Sequence, residues 1–175
     1  MNVLFLCTHN SARSILAEAL LNHLGGGRWR GYSAGSSPRP GQQPNPLALR
    51  ALAGAGIPTE GLHSKSWDAF AASGAPVMDL IITVCDNAAG EVCPIWPGHP
   101  ATAHWGYADP SEARGDDAER LAAFRQTLLA IRRRVELLVN LPPEKFAPAR
   151  LQASARDLAR HAAEASTEAT AEGPQ

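Results

Sequence analysis

Residues 3–21 read VLFLCTHNSARSILAEALL. Apolar letters run unbroken to Leu6, stop at Cys7, give way to mostly small or polar residues, and resume at helical spacing after an Arg-Ser pair. An uninterrupted, β-rich run of this kind marks a parallel strand buried on both faces, so residues 2–6 are expected as the first core strand. A helix is expected from about Ser14 to Leu24, with Ile15, Ala19, Leu20 and Leu24 at helical spacing and Gly25 to Gly27 ending it. In an open parallel sheet, ligands collect at the carboxyl ends of the strands, where helix N-termini also point. Cys7 sits at such an end.

The run CTHNSAR places a cysteine and an arginine six positions apart around a loop. Its successive backbone N–H groups are suited to form a nest that ends on the positive pole of the helix behind it, an arrangement that binds a tetrahedral oxyanion. Thr8, His9, Asn10, Ser11, Ala12, Arg13 and Ser14 are therefore the expected anion-binding residues. Arg13 would hold two oxygens with its planar fork, Asn10 would brace the loop and accept left-handed backbone angles, and Ser14 would donate its hydroxyl to the sulfur. The same field is expected to lower the Cys7 pKa and make it a nucleophile at neutral pH. A buried core thiol beside a solvated arginine would leave the agreement of position, spacing and following helix without a reason.

Outward from this stretch, a short strand is expected at Trp29 to Ser33, followed by the turn-rich AGSSPRPGQQPNP. Pro46 opens a helix to about Ala55, and a shorter one begins near Ser66. MDLIITVC, residues 78–85, is the second core strand and again ends on a cysteine. A weaker strand and loop follow in TAHWGYADP, then a long helix with Leu121, Phe124, Leu128, Ile131, Val135 and Leu138 in register. Arg28, Arg30 and the run Arg132 to Arg134 read as solvated faces. Alternating strands and helices predict an α/β domain, a single open parallel four-stranded sheet with helices on both faces, over residues 1–142. Residues 143–163 are expected as a helical extension docking through Phe146, Leu151 and Leu158, and 164–175 as a frayed tail.

With 16 Lys and Arg against 17 Asp and Glu, the net charge is −1, so no basic excess points to nucleic acid or to an anionic membrane surface. The N-terminus has no basic n-region and no later run reaches membrane-spanning length, which points to a cytoplasmic protein. Three cysteines, Cys7, Cys85 and Cys93, are too few and odd in number for a disulfide framework, and in a reducing compartment each requires a reason. Their spacing, eight positions between the last two, is poor for zinc, whose paired ligands lie two to four residues apart, and no metal is expected.

LCTHNSARS resembles the anion loop of the low-molecular-weight tyrosine phosphatase fold and, more closely, that of the arsenate reductases built on it. The resemblance extends through YSAGSSP, LHSKSWDAF, ITVCDNAAGEVCP and HWGYADP, covering about residues 2–140. It implies that Cys7 attacks arsenate, that Cys85 attacks Cys7 in the adduct to release arsenite, and that Cys93 then attacks Cys85. Asp109, before Pro110, matches the family's general acid, although Asp-Pro also simply starts turns. Glu18, Ser33 and Ser66 beside Lys65 line up with a shell around the loop where some relatives hold a cation; a lysine there argues against one.

The catalytic set implied is Cys7, Arg13, Cys85, Cys93 and Asp109, with no bound cofactor. The partners implied are arsenate, with phosphate and sulfate competing, and an external thiol reductant: thioredoxin, glutathione with glutaredoxin, or mycothiol. Two other functions stay open. A phosphatase of this fold has no use for the second and third cysteines, and a thiol switch or arsenite binder leaves Arg13 and Asp109 idle.

Overall fold

The computed structural model describes residues 1–85 and 96–171, with side chains to residue 160. Strands β1 (Asn2–Cys7), β2 (Arg30–Gly35), β3 (Leu80–Thr83) and β4 (Ala101–His104) form one sheet in the order β2-β1-β3-β4. Every pairing is parallel, and the register sets Cys7 opposite Gly35, Leu6 opposite Thr83 and Thr83 opposite His104. The carboxyl ends of all four strands thus come level along one rim.

Among the described residues, five α-helices accompany the sheet: α1 (Arg13–Leu24), α2 (Pro46–Gly54), α3 (Asp68–Ala71), α4 (Asp117–Val139) and α5 (Pro148–Ala171). Side chains alternate across the strands and divide the core. Val3, Phe5, Leu80, Ile82 and Ala103 join Ile15, Leu16, Leu20, Phe124, Ile131 and Leu151 in one large cluster with α1, α2, α4 and α5. On the opposite face Leu4, Leu6, Ala34 and Ile81 pack with Phe70, Met78 and Trp96. Helices therefore lie on both faces but unequally, because on the second face, among the described residues, α3 is a single turn.

Sequence rules account for most boundaries. Asn45 caps α2 by accepting from the Leu47 N–H, with Pro46 at the first helical position, and Asp116 with Glu119 forms a reciprocal capping box on α4. The core strand expected over 78–85 is shorter, although Asp79 and Val84 still donate backbone bonds to Asn2 and Leu6. Helix α5 docks through the expected residues: Leu151 is buried, Leu158 packs on the core and Phe146 meets Trp29 edge-on at 5.4 Å. It continues to Ala171, into the stretch expected as a tail, which fits the high helix propensity of its alanines and glutamates. Among the described residues, no helix is long and apolar enough to cross a membrane.

Candidate active site

The loop from Cys7 to Arg13 joins β1 to α1, and its carbonyl groups are turned outward. Cys7 O accepts from Ser36 N–H at 3.0 Å, Thr8 O from Ser37 N–H at 2.9 Å, and Ser11 O from Asn45 N–H at 2.8 Å. Asn10 O accepts the Ser64 hydroxyl at 2.6 Å, and Ala12 O starts the helix by accepting from Leu16 N–H at 3.0 Å. The Thr8 amide interacts with the Cys7 sulfur. At the end of the loop Ala12 provides no side-chain cap, unlike Asn45 on α2 and Asp116 on α4. The first N–H groups of α1 are thus left for something other than a capping side chain.

Asn10 holds the loop in shape. It is fully buried with φ of 53°, a backbone region that asparagine tolerates better than most residues. Its amide donates to Ser14 Oγ and Ser33 Oγ, both at 2.9 Å, while its oxygen accepts from Lys65 N–H at 2.9 Å. The expected bracing role matches this geometry; the bond found for Ser14 is with Asn10 and not with the sulfur. Ser33 in turn donates to Glu18, and Lys65 Nζ lies 3.8 Å from the same carboxylate. Burial pushes the Glu18 pKa up, with Lys65 and Ser33 opposing, and burial pushes that of Lys65 down against the pull of Glu18. Ser66 lies outside this network, its hydroxyl donating to Asp68 at 2.9 Å.

Arg13 bridges the loop to the segment after β4. Nη1 donates to the Tyr107 carbonyl at 2.8 Å and Nη2 to Asp109 Oδ2 at 2.9 Å, with side-chain exposures of 12% and 29% for arginine and aspartate. Its Nε is buried without a partner. Asp109 has a second engagement: Oδ1 accepts from the Ser111 amide at 3.0 Å and the Ser111 hydroxyl at 2.7 Å, starting a 3-10 turn at Pro110. The turn and the arginine pair, alternatives in the sequence, coexist here. His9 sits at the edge, Nδ1 2.9 Å from the Ser37 carbonyl.

Cys85 comes to the same place. Its sulfur lies 3.6 Å from Thr8 Oγ1 and contacts the Cys7 thiol. Both cysteines are buried and reduced. The contact works against the expected acidity of Cys7. Hydrogen bonding to Cys85, burial and the charge of Cys85 push its pKa up, outweighing Arg13 and the Thr8 amide, which push it down. Because the hydrogen bond and the charge of Cys85 are both among the causes, the two thiols titrate as a coupled pair and not independently. Cys93 falls outside the described residues, as does most of the segment CDNAAGEVC.

Two features were missed in the sequence. Gly35 passes directly beneath the loop, where a Cβ would come within 2.7 Å of the Thr8 carbonyl oxygen. Arg134, read as solvated with its neighbours, is buried, because its position between Ile131, Val135 and Leu138 falls on the apolar stripe. Arg28 is also engaged, donating to the Val139 carbonyl at 3.0 Å.

Comparison with known proteins agrees with this architecture. The sequence profile described as low molecular weight phosphotyrosine protein phosphatase matches residues 2–154. The chain belongs to that family. Within it the relatives are named for a different reaction: the arsenate reductase of Halalkalibacterium halodurans is 37% identical over 77% of this chain and 91% of its own. The arsenate reductase structure from Archaeoglobus fulgidus superposes with a TM-score of 0.61 at 29% identity, covering 79% of this chain and 99% of that one. A thioredoxin-dependent arsenate reductase of Corynebacterium glutamicum gives 0.50 at 27%, covering 78% of this chain and 62% of that one.

Proposed function

We propose that this chain reduces arsenate to arsenite, using Cys7 as nucleophile and passing the oxidation to Cys85 and Cys93. The observation that carries the reading is the pairing of a second buried thiol, Cys85, with the thiol of an oxyanion-type loop. Hydrolysis of a phosphoester gives that second thiol nothing to do. Support also comes from the unpartnered Arg13 Nε and the uncapped start of α1, donors that suit a tetrahedral anion.

In this reading the Cys7 thiolate attacks arsenic(V) and displaces one oxygen, which leaves as water after protonation, with Asp109 as the proton source. Cys85 then attacks the Cys7 sulfur. The sulfur–arsenic bond breaks with its electron pair remaining on arsenic, giving arsenite and a Cys7–Cys85 disulfide. Cys93 attacks Cys85, freeing Cys7, and an external dithiol, or two molecules of a monothiol, reduces the Cys85–Cys93 disulfide while being oxidised. The raised Cys7 pKa sets a condition: the thiolate forms as Cys85 surrenders the contact or shares its proton. Thioredoxin, glutathione with glutaredoxin, and mycothiol are the reductants to compare, in a cytoplasmic setting.

Anaerobic incubation with arsenate and each thiol system in turn, measuring arsenite released, tests the proposal. At least one system should sustain turnover, and Cys7→Ser should abolish it. Cys85→Ser should block reduction while sparing hydrolysis of an activated aryl phosphate by Cys7 and Arg13. Arsenate turnover at the parental rate in Cys85→Ser would sink the relay and favour a phosphatase.

A further inference from the structure

The segment carrying Asp109 rests on a cation that the proposed reaction does not use. Arg134 of α4 is 7% exposed, its guanidinium carbon 4.7 Å from the centroid of the Tyr107 ring and 6.0 Å from that of Trp105. Nη2 donates to the Ala159 carbonyl of α5 at 3.3 Å. Nε, Nη1 and the Tyr107 hydroxyl are buried with no hydrogen bond of good geometry, although the guanidinium and the hydroxyl interact. Unpartnered N–H groups on a buried charge destabilise a fold, and an apolar side chain of similar volume would serve packing better. Packing alone therefore does not explain an arginine there.

The contacts above it supply a reason. The cation lies against Tyr107, and the Tyr107 carbonyl is what Arg13 Nη1 donates to, while Nη2 of the same arginine holds Asp109 two residues on. The start of this segment is fixed as well: Trp105 Nε1 donates to the Ala155 carbonyl of α5 at 2.8 Å. Helix α5 thus ties down the segment twice, directly at Trp105 and through Arg134 at Tyr107. Burial pushes the Tyr107 pKa up to about 12, with the charge of Arg134 and its side-chain interaction with the hydroxyl opposing, so the phenol stays neutral and Arg134 engages Tyr107 at both its ring and its hydroxyl.

We propose that Arg134 is a positioning residue for Arg13 and Asp109, acting through the face of Tyr107. The proposal rests on the reading of the Cys7 loop as an oxyanion site, but not on the thiol relay.

The test measures the dissociation constant for inorganic phosphate by calorimetry, together with the thermal midpoint, in the wild type, Arg134→Met, Arg134→Lys, Tyr107→Leu and Arg134→Met/Tyr107→Leu. Arg133→Met, a neighbouring exposed arginine, controls for loss of charge. Arg134→Met is expected to weaken phosphate binding about tenfold while leaving the midpoint unchanged or higher, and to have almost no further effect once Tyr107 is leucine. Arg134→Lys should lose less, since an ammonium over the ring keeps part of the cation–π contact. Unchanged phosphate binding in Arg134→Met would overturn the proposal, as would an equal loss in the Tyr107→Leu background or in Arg133→Met. A wild type that binds phosphate but reduces no arsenate would defeat the relay and leave this proposal standing; one that binds no phosphate would defeat both.

Discussion

The two edges of the sheet are finished in opposite ways. At β2, one side chain does the work: Asn22 of α1 accepts from the Gly31 N–H at 2.9 Å and donates to the Gly31 carbonyl at 3.0 Å, occupying both groups as a neighbouring strand would. At β4, the same two bonds are divided between residues of a distant helix. Gln152 Oε1 accepts from the Thr102 N–H at 3.0 Å and Arg156 Nε donates to the Thr102 carbonyl at 3.2 Å. Both devices blunt an edge that would otherwise template pairing with another chain. The first is local, nine residues apart and within one β-α-β unit; the second joins positions fifty or more apart and depends on α5 being docked. Their charges differ too. Beside β2 the Glu18–Lys65 pair is 14% and 17% exposed, whereas on α5 Arg160 and Asp157 are 75% and 51% exposed.

The most severe way to break the comparison is to remove α5. Ending the chain after Pro142 uncovers the β4 edge and strips Leu151, Ala155 and Phe146 from the core. A loss of about 5 kcal/mol is expected, enough to leave a marginal domain unfolded or self-associating, as read by chemical denaturation and size-exclusion chromatography. A soluble truncated protein of wild-type stability would show that the two edges are equally self-sufficient.

At the β2 end, Gly35→Ala forces a Cβ to 2.7 Å from the Thr8 oxygen and to 3.1 Å from the Asn10 nitrogen. The expected cost is about 1–3 kcal/mol, with phosphate affinity falling alongside, because the obstacle is backbone on both sides. Stability and affinity measured on one preparation check this, and an affinity unchanged from the wild type would contradict the close passage described. The edge bonds themselves give a smaller contrast. Asn22→Ala leaves two partly buried backbone groups unpaired and should cost about 1–2 kcal/mol, whereas Gln152→Ala removes a bond that lies in solvent and should cost about 0.5 kcal/mol or less. Equal costs would erase the distinction between a concentrated and a distributed edge.

The smallest expected effect is a pH dependence confined to the β2 side. A carboxyl whose pKa is raised on folding binds more protons folded than unfolded, so its contribution to stability is present at low pH and declines as the pH rises through the folded value. The stability of the wild type relative to Glu18→Gln should therefore fall as pH increases above 4.5, the ordinary value. Thermal midpoints across that range decide it, and a difference that grows with pH would reverse the assignment.

These contrasts also mark what the sequence disclosed. β1 and β3 were legible because both lie in apolar runs that lead to a cysteine, and α4 because about six turns of spacing leave little choice. Cys7, Asn10 and Arg13 were singled out from local pattern and Asp109 from the family resemblance, and Asp109 lies against Arg13 in the structure. What pattern did not contain is long-range proximity. The acidity of Cys7 depends on Cys85, seventy-eight residues away, and nothing in CTHNSAR announces that a second thiol will titrate with it. Gly35 looked like one glycine among fifteen until the strand was seen running beneath the loop. Arg134 was hidden by its neighbours, since three consecutive arginines read as one solvated run although only 134 lies on the stripe of Ile131 and Leu138.

If the Cys7 loop binds an oxyanion as proposed, its outward carbonyls would make it a one-sided reader of protons. Cys7, Thr8, Asn10, Ser11 and Ala12 each have a backbone acceptor already engaged away from the hollow. An oxyanion bound there, as the proposed reaction requires, would meet no free carbonyl among these five, so an oxygen carrying its own hydrogen would find no acceptor for it and gain less than a bare one. In the proposed reaction such a floor would favour the bare oxygens of a partly protonated anion and leave the hydroxyl, the oxygen that departs as water, turned away from it.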